Sequence, residues 1–268
     1  MPGYNHKHPR KYAGHFLLSL LLLGFFSSSQ AAKIASIIID DIGNSYEHGQ
    51  TIIDFPAAIT LAILPQTQFA RQLATQAHHK NKEVMLHLPL QSVEHHKSSP
   101  GTLKLHMTHQ QFKKQLQENL ASVPYLSGLN SHMGSLLTQH PGHMDWLMAE
   151  VSNLDNMYFI DSRTSKKSVV TEIASKYQIP NLSRDVFLDP DFKPETIRKQ
   201  FDRFIQITNK KGYAIAIAHP HPTTLSFLKQ NLKKLAENGI ELVPVSKLLE
   251  LRGNESHVTC TGTTCSGL

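Results

Sequence analysis

The sequence has few of the residues that build thiolate metal cages, disulfide frameworks or nucleotide sites. Only two of the 268 residues are cysteine, Cys260 and Cys265, and both lie near the end of the chain. Two close cysteines without partners elsewhere do not make a zinc cage, although an oxidising compartment would allow a local disulfide between them. No GxGxxG fingerprint and no Walker-type loop is present, so nucleotide binding has no support.

Net positive charge is also small outside the N-terminus. The formal net charge is +6, and Lys7, Arg10 and Lys11 supply half of it. No arginine-rich run follows, and aromatic residues make up only 7% of the chain, so no basic stripe interleaved with aromatic side chains exists. These features argue against a nucleic acid partner.

Long apolar runs are absent except for one, roughly residues 16–26, which follows that basic stretch. Small and polar residues come next, with Ser29 and Ala31 in a small-x-small cleavage pattern. The layout is typical of a secretory signal peptide over residues 1–31, because the apolar part is short for a membrane span. An uncleaved N-terminal anchor is the alternative. Both predict export, and no stable membrane span is expected once the signal is removed.

After the signal, short apolar runs alternate with longer amphipathic stretches. The runs predict strands at 34–39, 58–64, 83–88, 127–132, 157–161, 180–183, 213–218 and 240–243, and helical patterns lie near 68–80, 108–123, 141–153, 167–177, 194–209 and 222–238. Such alternation implies parallel strands joined by right-handed crossovers. We therefore predict an α/β fold, an irregular (β/α) barrel of seven or eight strands, over residues 32–251. A doubly wound open sheet is the alternative, and residues 252–268 are expected to form a flexible tail.

Polar and ionisable side chains end most of the predicted strands. The first example is the segment IIIDDIGNS, in which an isoleucine run stops at Asp40 and Asp41. A turn or a helix cap is the alternative reading of these two acids. The corresponding residues on later strands are His87; Asn130, Ser131 and His132; Asp161, Ser162 and Arg163; Arg184 and Asp185; and His219. Because the carboxyl ends of parallel strands open on one mouth of a barrel, we expect these side chains to converge.

Metal-assisted hydrolysis is the chemistry that these side chains predict. One carboxylate and two neutral imidazoles hold zinc or a similar ion and leave positions open for water and substrate. We assign this role to Asp41, His87 and His132. Asp40 is then the candidate base that takes a proton from water, and His219 is the candidate acid that protonates the leaving group.

Two arginines add to the candidate site. Arg163 and Arg184 follow the fifth and sixth predicted strands, where they would bind an anionic group or orient the acids. Simple ion pairs with Asp161 and Asp185 are the alternative for both arginines. We include Arg184 among the candidate catalytic residues.

Six motifs in order resemble the divergent polysaccharide deacetylase family, the YibQ-like proteins. They are DDIG, HLP, NSHMGS, FIDSRT, RDVFLD and IAHP, and the similarity runs from about Lys33 to Leu251. The resemblance implies an exported (β/α) barrel related to NodB-type polysaccharide deacetylases and their glycoside-hydrolase relatives. It also implies removal of acetyl groups from N-acetylated sugars, with a divalent metal, zinc first among the candidates. The implied partner is an acetylated or peptidoglycan-type glycan in the periplasm.

The resemblance assigns roles to individual residues. Asp40 and Asp41 look like the paired acids of the first NodB motif, the base followed by the metal ligand. His87 falls on the strand that carries the metal histidines, Asp161 falls near the orienting acid, and His219 looks like the general acid.

Two departures from the NodB pattern shape what we expect. NodB-type proteins have two histidines four residues apart in the second motif, but here Gln91 stands at that spacing after His87. His132 must then supply the second imidazole from another strand. The RxPY-like motif is also missing, and NSHMGS occupies the region. The alternatives are a catalytically inactive protein that binds glycan or a cell-wall enzyme, and a metal hydrolase for another ester or amide.

Overall fold

The computed structural model describes residues 1–4, 32–94 and 99–258, without the side chains of 253–258. Most of the predicted signal peptide therefore lies outside the described residues, as do Cys260 and Cys265 and the proposed bond between them. The described residues from Ala32 onward form one compact unit. Among the described residues, no helix has both the length and the apolar character needed to span a membrane.

Nine strands and nine α-helices lie within the described residues. The strands are β1 (Lys33–Ile42), β2 (Ile59–Ile63), β3 (Val84–Leu90), β4 (Leu126–Met133), β5 (Tyr158–Asp161), β6 (Asn181–Ser183), β7 (Val186–Phe187), β8 (Tyr213–Ala218) and β9 (Ile240–Leu242). The helices are α1 (Tyr46–Ile53), α2 (Ala70–His79), α3 (His109–Ser122), α4 (Pro141–Val151), α5 (Val170–Lys176), α6 (Pro194–Lys211), α7 (Pro222–Asn231), α8 (Lys233–Glu237) and α9 (Val245–Val258).

All registered strand pairs are parallel, and the sheet curls into an open barrel. The strand order is β6-β5-β4-β3-β2-β1-β8-β7, with β9 beside β1. The two ends of this order, β6 and β7, are separated along the chain by Arg184 and Asp185 only, and no ladder joins them in the part of the chain that the structure describes. The predicted irregular (β/α) barrel is confirmed. It has nine strands rather than seven or eight, because β7 has only two residues and is too short to appear as an apolar run in the sequence.

Apolar side chains fill the barrel and the layer between the sheet and its helices. Inward-facing residues of β1, β2, β3, β5 and β8 form one buried cluster, which Val245 and Leu248 of α9 close at one end. Glu83 fixes that helix there, because its carboxylate accepts the backbone N–H groups of Val245 (2.7 Å) and Ser246 (3.0 Å). An acid at a helix N-terminus satisfies orphan donors and complements the helix dipole. The other end of the barrel carries the polar strand ends.

Three elements differ from the sequence prediction. Helix α1 was not predicted, because it is short and Gly49 interrupts its pattern. The glycine is needed there, since a β-carbon at this position would lie 2.5 Å from the Leu73 side chain. The single helix predicted over 222–238 divides at Leu232 into α7 and α8. The last helix continues beyond the predicted domain end at residue 251, as far as Val258.

The close packing of β4 against β5 gives a test of the fold. Gly128 pairs with Tyr158, and a β-carbon at this glycine would lie 2.4 Å from the tyrosine ring. We expect Gly128→Ala to lower the free energy of unfolding by about 1–3 kcal/mol, because the buried ring has to move. Gly142→Ala is the control, since its nearest atom would be 3.6 Å away in a helix. Equal denaturation midpoints for the two variants would contradict this packing.

Candidate metal centre

The end of β1 places Asp40 and Asp41 on the same mouth of the barrel. Adjacent residues of a regular strand point to opposite faces. Here the register with β2 shifts between Ile39 and Ile42, so that β1 has one extra residue at this point. Asp41 adopts a left-handed conformation with φ of 57°. Such a bulge re-aims a side chain, and both acids consequently contact His87.

The register between β3 and β4 brings the two imidazoles to these acids. His87 lies directly opposite Asn130, and His132 follows two residues later on the same face of β4. The Asn130 side chain accepts from His87 Nδ1 through Oδ1 (2.7 Å) and donates from Nδ2 to Asp40 Oδ1 (2.8 Å). With an Nδ1 proton donated to Asn130, a neutral His87 would direct the Nε2 lone pair to a metal ion held beside Asp41.

Asp41, His87 and His132 form a triangle of ligand atoms that fits zinc. Asp41 Oδ1 lies 3.2 Å from His87 Nε2 and 3.0 Å from His132 Nδ1, and the two nitrogens are 3.1 Å apart. Ligands about 2.0–2.1 Å from a tetrahedral zinc lie about 3.3 Å from one another. Asp41 Oδ1 is buried and makes no hydrogen bond of standard geometry, so a bound cation would supply the partner that this oxygen lacks. The described residues contain no other such cluster of three.

The electrostatics of the site favour a positive charge at the triangle. Burial alone raises the pKa of Asp41, but His132 and His87 outweigh it and hold that pKa below its usual range. Burial lowers the pKa of His87, yet Asp40 and Asp41 raise it to about 9. Burial raises the pKa of Asp40 despite the neighbouring histidines, which strengthens that carboxylate as a base.

His219 faces the triangle from β8, where Asp189 orients it. Its Nε2 lies 3.8 Å from Asp41 Oδ2, and its Nδ1 lies 3.1 Å from Asp189 Oδ1. Asp189 is 1% exposed and also accepts the His219 backbone N–H and the Thr224 hydroxyl, each at 2.8 Å. Burial lowers the pKa of His219, but Asp189 outweighs it and the pKa rises. Sequence reasoning missed Asp189, although an acid follows an apolar run there in the motif RDVFLD.

The other predicted residues occupy different places. The carboxylate beside His219 is that of Asp189, whereas Asp161 lies at the tip of β5 and accepts the backbone N–H of Arg163 at 2.8 Å. Asp185 does not join the mouth: it pairs with Lys211 (3.0 Å) and accepts the Ile215 backbone N–H. The ion pairs considered for Arg163 and Arg184 are therefore absent from the described contacts.

A cavity of about 420 Å³ opens above the triangle. The side chains that line it include both acids of β1, His87, His132, His219 and Arg184. The loop between β3 and α3 reaches the cavity too, because Ser99 Oγ lies 3.2 Å from His132 Nε2. With Nε2 turned to that hydroxyl, His132 presents Nδ1 to the triangle.

Comparison with known proteins decides the family. The sequence profile described as divergent polysaccharide deacetylase matches residues 37–249. The chain belongs to this family. It is 35% identical to the uncharacterized protein YibQ of Escherichia coli (strain K12) over 228 residues, 85% of this chain and 70% of YibQ. It is 34% identical to an uncharacterized Haemophilus influenzae protein over 232 residues, 87% of this chain and 81% of that protein.

Solved structures show the same fold. An uncharacterized protein from Agrobacterium tumefaciens C58 superposes with a TM-score of 0.78 at 21% identity, over 82% of this chain and 91% of that one. The peptidoglycan deacetylase PdaC from Bacillus subtilis superposes with a TM-score of 0.53 at 15% identity, over 87% and 98%. At these identities the likeness concerns the fold, the curled parallel sheet with its helices.

The bridge made by Asn130 gives a prediction that tests how the ligands are held. Asn130→Ala leaves His87 Nδ1 and Asp40 Oδ1 without their partner, so we expect zinc affinity to fall by about 10–100-fold. Asn119→Ala is the matched control: this asparagine is also fully buried and bonds the Gly101 carbonyl at 2.8 Å, without a described contact to a ligand. Competition titration against a zinc chelator measures both. A similar loss in the two variants would show that destabilisation, not orientation of His87, is the cause.

Proposed function

We propose that this protein is an exported, metal-dependent carbohydrate deacetylase that removes acetyl groups from N-acetylated envelope glycans. The observation that carries the proposal is the zinc-sized triangle of Asp41, His87 and His132 between Asp40 and His219. Family membership supports the reaction class. The donor set of one carboxylate and two imidazoles supports zinc as the metal.

The chain's own residues divide the chemistry among them. Zinc, when bound, supplies a Lewis acid that polarises the acetamide carbonyl and acidifies water. Asp40 takes the proton from the water that adds to the carbonyl carbon, and its buried carboxylate is a stronger base than an exposed one. Asn130 holds that carboxylate in place. When the carbon–nitrogen bond breaks, His219 gives its proton to the amine nitrogen, and acetate is the other product.

His219 is suited to the acid role by its surroundings. Its Nδ1 is held by Asp189, so that Nε2 alone is directed towards Asp41 and the cavity. A carboxylate in that position fixes the ring and stabilises the protonated imidazole. The acid and the base consequently stand on different strands, β8 and β1, on either side of the ligand atoms.

Export to the periplasm is part of the proposal, supported by the signal peptide predicted over residues 1–31 and by the family resemblance. We expect cells that express the full chain to release a soluble product into the periplasmic fraction, with Ala32 as its first residue. N-terminal sequencing of the fractionated protein measures this. An intact N-terminus in the membrane fraction would favour the uncleaved anchor instead.

Substitutions at the two acids of β1 separate metal binding from turnover. We expect Asp41→Ala and His132→Ala to lose zinc, since each removes a ligand, and Asp40→Asn to keep zinc but lose most acetate release. Elemental mass spectrometry and an acetate assay on N-acetylglucosamine oligomers measure the two properties. His106→Ala, an exposed histidine outside the cavity, is the control.

Three results would contradict this assignment. Equal zinc content and equal activity in Asp40→Asn and Asp41→Ala would remove the division of roles between the acids. No bound metal in the wild type, even after incubation with divalent ions, would favour a non-catalytic protein that binds glycan. Release of acid from simple aryl esters but not from acetylated sugars would indicate a different hydrolase.

A further inference from the structure

We infer that the mouth of the metal centre contains a subsite for an anionic group, so that the glycan bound there is acidic. The inference deepens the proposed function and rests on it for the acetamide chemistry. The subsite itself is argued from two arginines and two serines that line the cavity: Arg163, Arg184, Ser131 and Ser162.

Arg184 is held by hydrogen bonds, and no carboxylate of the described residues forms an ion pair with it. Its Nε donates to the Ser162 carbonyl (2.7 Å) and one terminal nitrogen donates to the Arg163 carbonyl (3.3 Å). The guanidinium also lies over the Phe187 ring, 5.0 Å from the ring centre. A guanidinium has five N–H donors, so this arrangement fixes its plane while leaving donors for a ligand. It is partly buried, and a partly buried cation is costly without an anion beside it.

Burial lowers the pKa of Arg184, and the carboxylates of Asp40 and Asp161 offset this only in part, without forming an ion pair with it. Asp161 accepts a backbone N–H, and Asp185 pairs with Lys211. Within the described ranges, no carboxylate oxygen lies within 4.0 Å of either Arg163 or Arg184. Arg163 is exposed at the rim, where its left-handed backbone, with φ of 52°, follows the tip of β5. One anchored and one exposed guanidinium therefore line the cavity without an ion-pair partner among the described residues.

Two buried hydroxyls in the same wall also lack partners. Ser131 is 1% exposed and Ser162 is 5% exposed, yet neither Oγ makes a hydrogen bond. A buried hydroxyl without a partner costs free energy that a ligand oxygen would recover. Two hydroxyl donors and two guanidinium groups are a donor set for oxygen-rich anions. The acids of the cavity lie beside the ligand triangle instead, so the cavity has an acidic floor and a basic wall.

This division predicts the kind of glycan that fits. The acetamide would lie at the triangle, and a carboxylate or phosphate on the same or the next sugar would meet the arginines. Guanidinium groups bind both anions with paired, charge-assisted hydrogen bonds. A neutral N-acetylated glycan would offer oxygens to the serine hydroxyls but no negative charge to the arginines.

Binding to matched probes tests the inference apart from turnover. The probes are a tetrasaccharide of alternating N-acetylglucosamine and glucuronic acid, its neutral methyl ester, and an N-acetylglucosamine dimer carrying one phosphate. Calorimetry uses the zinc-loaded mature protein with Asp40→Asn, so that the ligands stay intact. We expect the acid to bind about tenfold tighter than its ester. Tighter binding of the phosphorylated dimer than of the acid would assign the subsite to phosphate.

Substitutions identify the residues responsible. Arg163→Gln and Arg184→Gln should each remove most of the preference for the anionic probes, whereas Lys167→Gln, an exposed cation of the same loop outside the cavity lining, should keep it. If Arg184→Gln does not fold, Arg163→Gln still tests the inference, because the Arg163 side chain is exposed and its replacement should not disturb the fold. Equal affinity for acid and ester, an unchanged preference in both arginine variants, or no binding of any probe would overturn the inference.

Acetate release by the protein with Asp40 intact separates the two proposals. Equal release from acid and ester would leave the deacetylase proposal standing and overturn the anionic subsite. A preference for the acid in binding, without acetate from any probe, would keep the subsite and overturn the deacetylase proposal.

Discussion

At the end of β1, one extra residue against β2 turns Asp41 into a left-handed conformation, and the site depends on this bulge. A regular strand would send one of the two acids towards the helices. With the bulge, Asp40 and Asp41 both reach His87, one near each of its nitrogens. Aspartate tolerates this conformation better than most residues, at a cost on the order of 1–3 kcal/mol. The chain thus accepts local strain that places the proposed base and the proposed metal ligand side by side.

One neutral and one charged side chain orient two histidines of the site, His87 and His219. Asn130 engages His87 through an amide, which fixes the ring without adding another carboxylate beside Asp40 and Asp41. Asp189 engages His219 through a carboxylate, which favours its protonated form. Against the effect of burial, the pKa of both imidazoles is raised, that of His87 by Asp40 and Asp41 and that of His219 by Asp189. As the proposed metal ligand, His87 would therefore have to release a proton when a metal binds.

Much of the fold followed from the sequence, because strands buried on both faces appear as apolar runs that end in polar residues. His87 and His132 were found in this way, but the contact of His87 with Asn130 depends on the β3–β4 register, which no sequence pattern contains. Asp189 was missed because the strand before it, β7, has two residues and no periodicity. The left-handed conformation of Asp41 could not be predicted from the sequence either, since Asp-Ile-Gly is also compatible with an ordinary turn.

The position of β1 between β2 and β8 has a consequence for how the chain folds. Ile34 pairs with Tyr213, so the first strand of the domain is completed by one of the last. During synthesis, one edge of this isoleucine-rich strand stays open until nearly the whole domain has been made. Such an edge is a template for pairing with other chains, and parallel pairing over long separations is slow. Nascent or truncated molecules that lack β8 would expose this edge and depend on a chaperone to stay soluble.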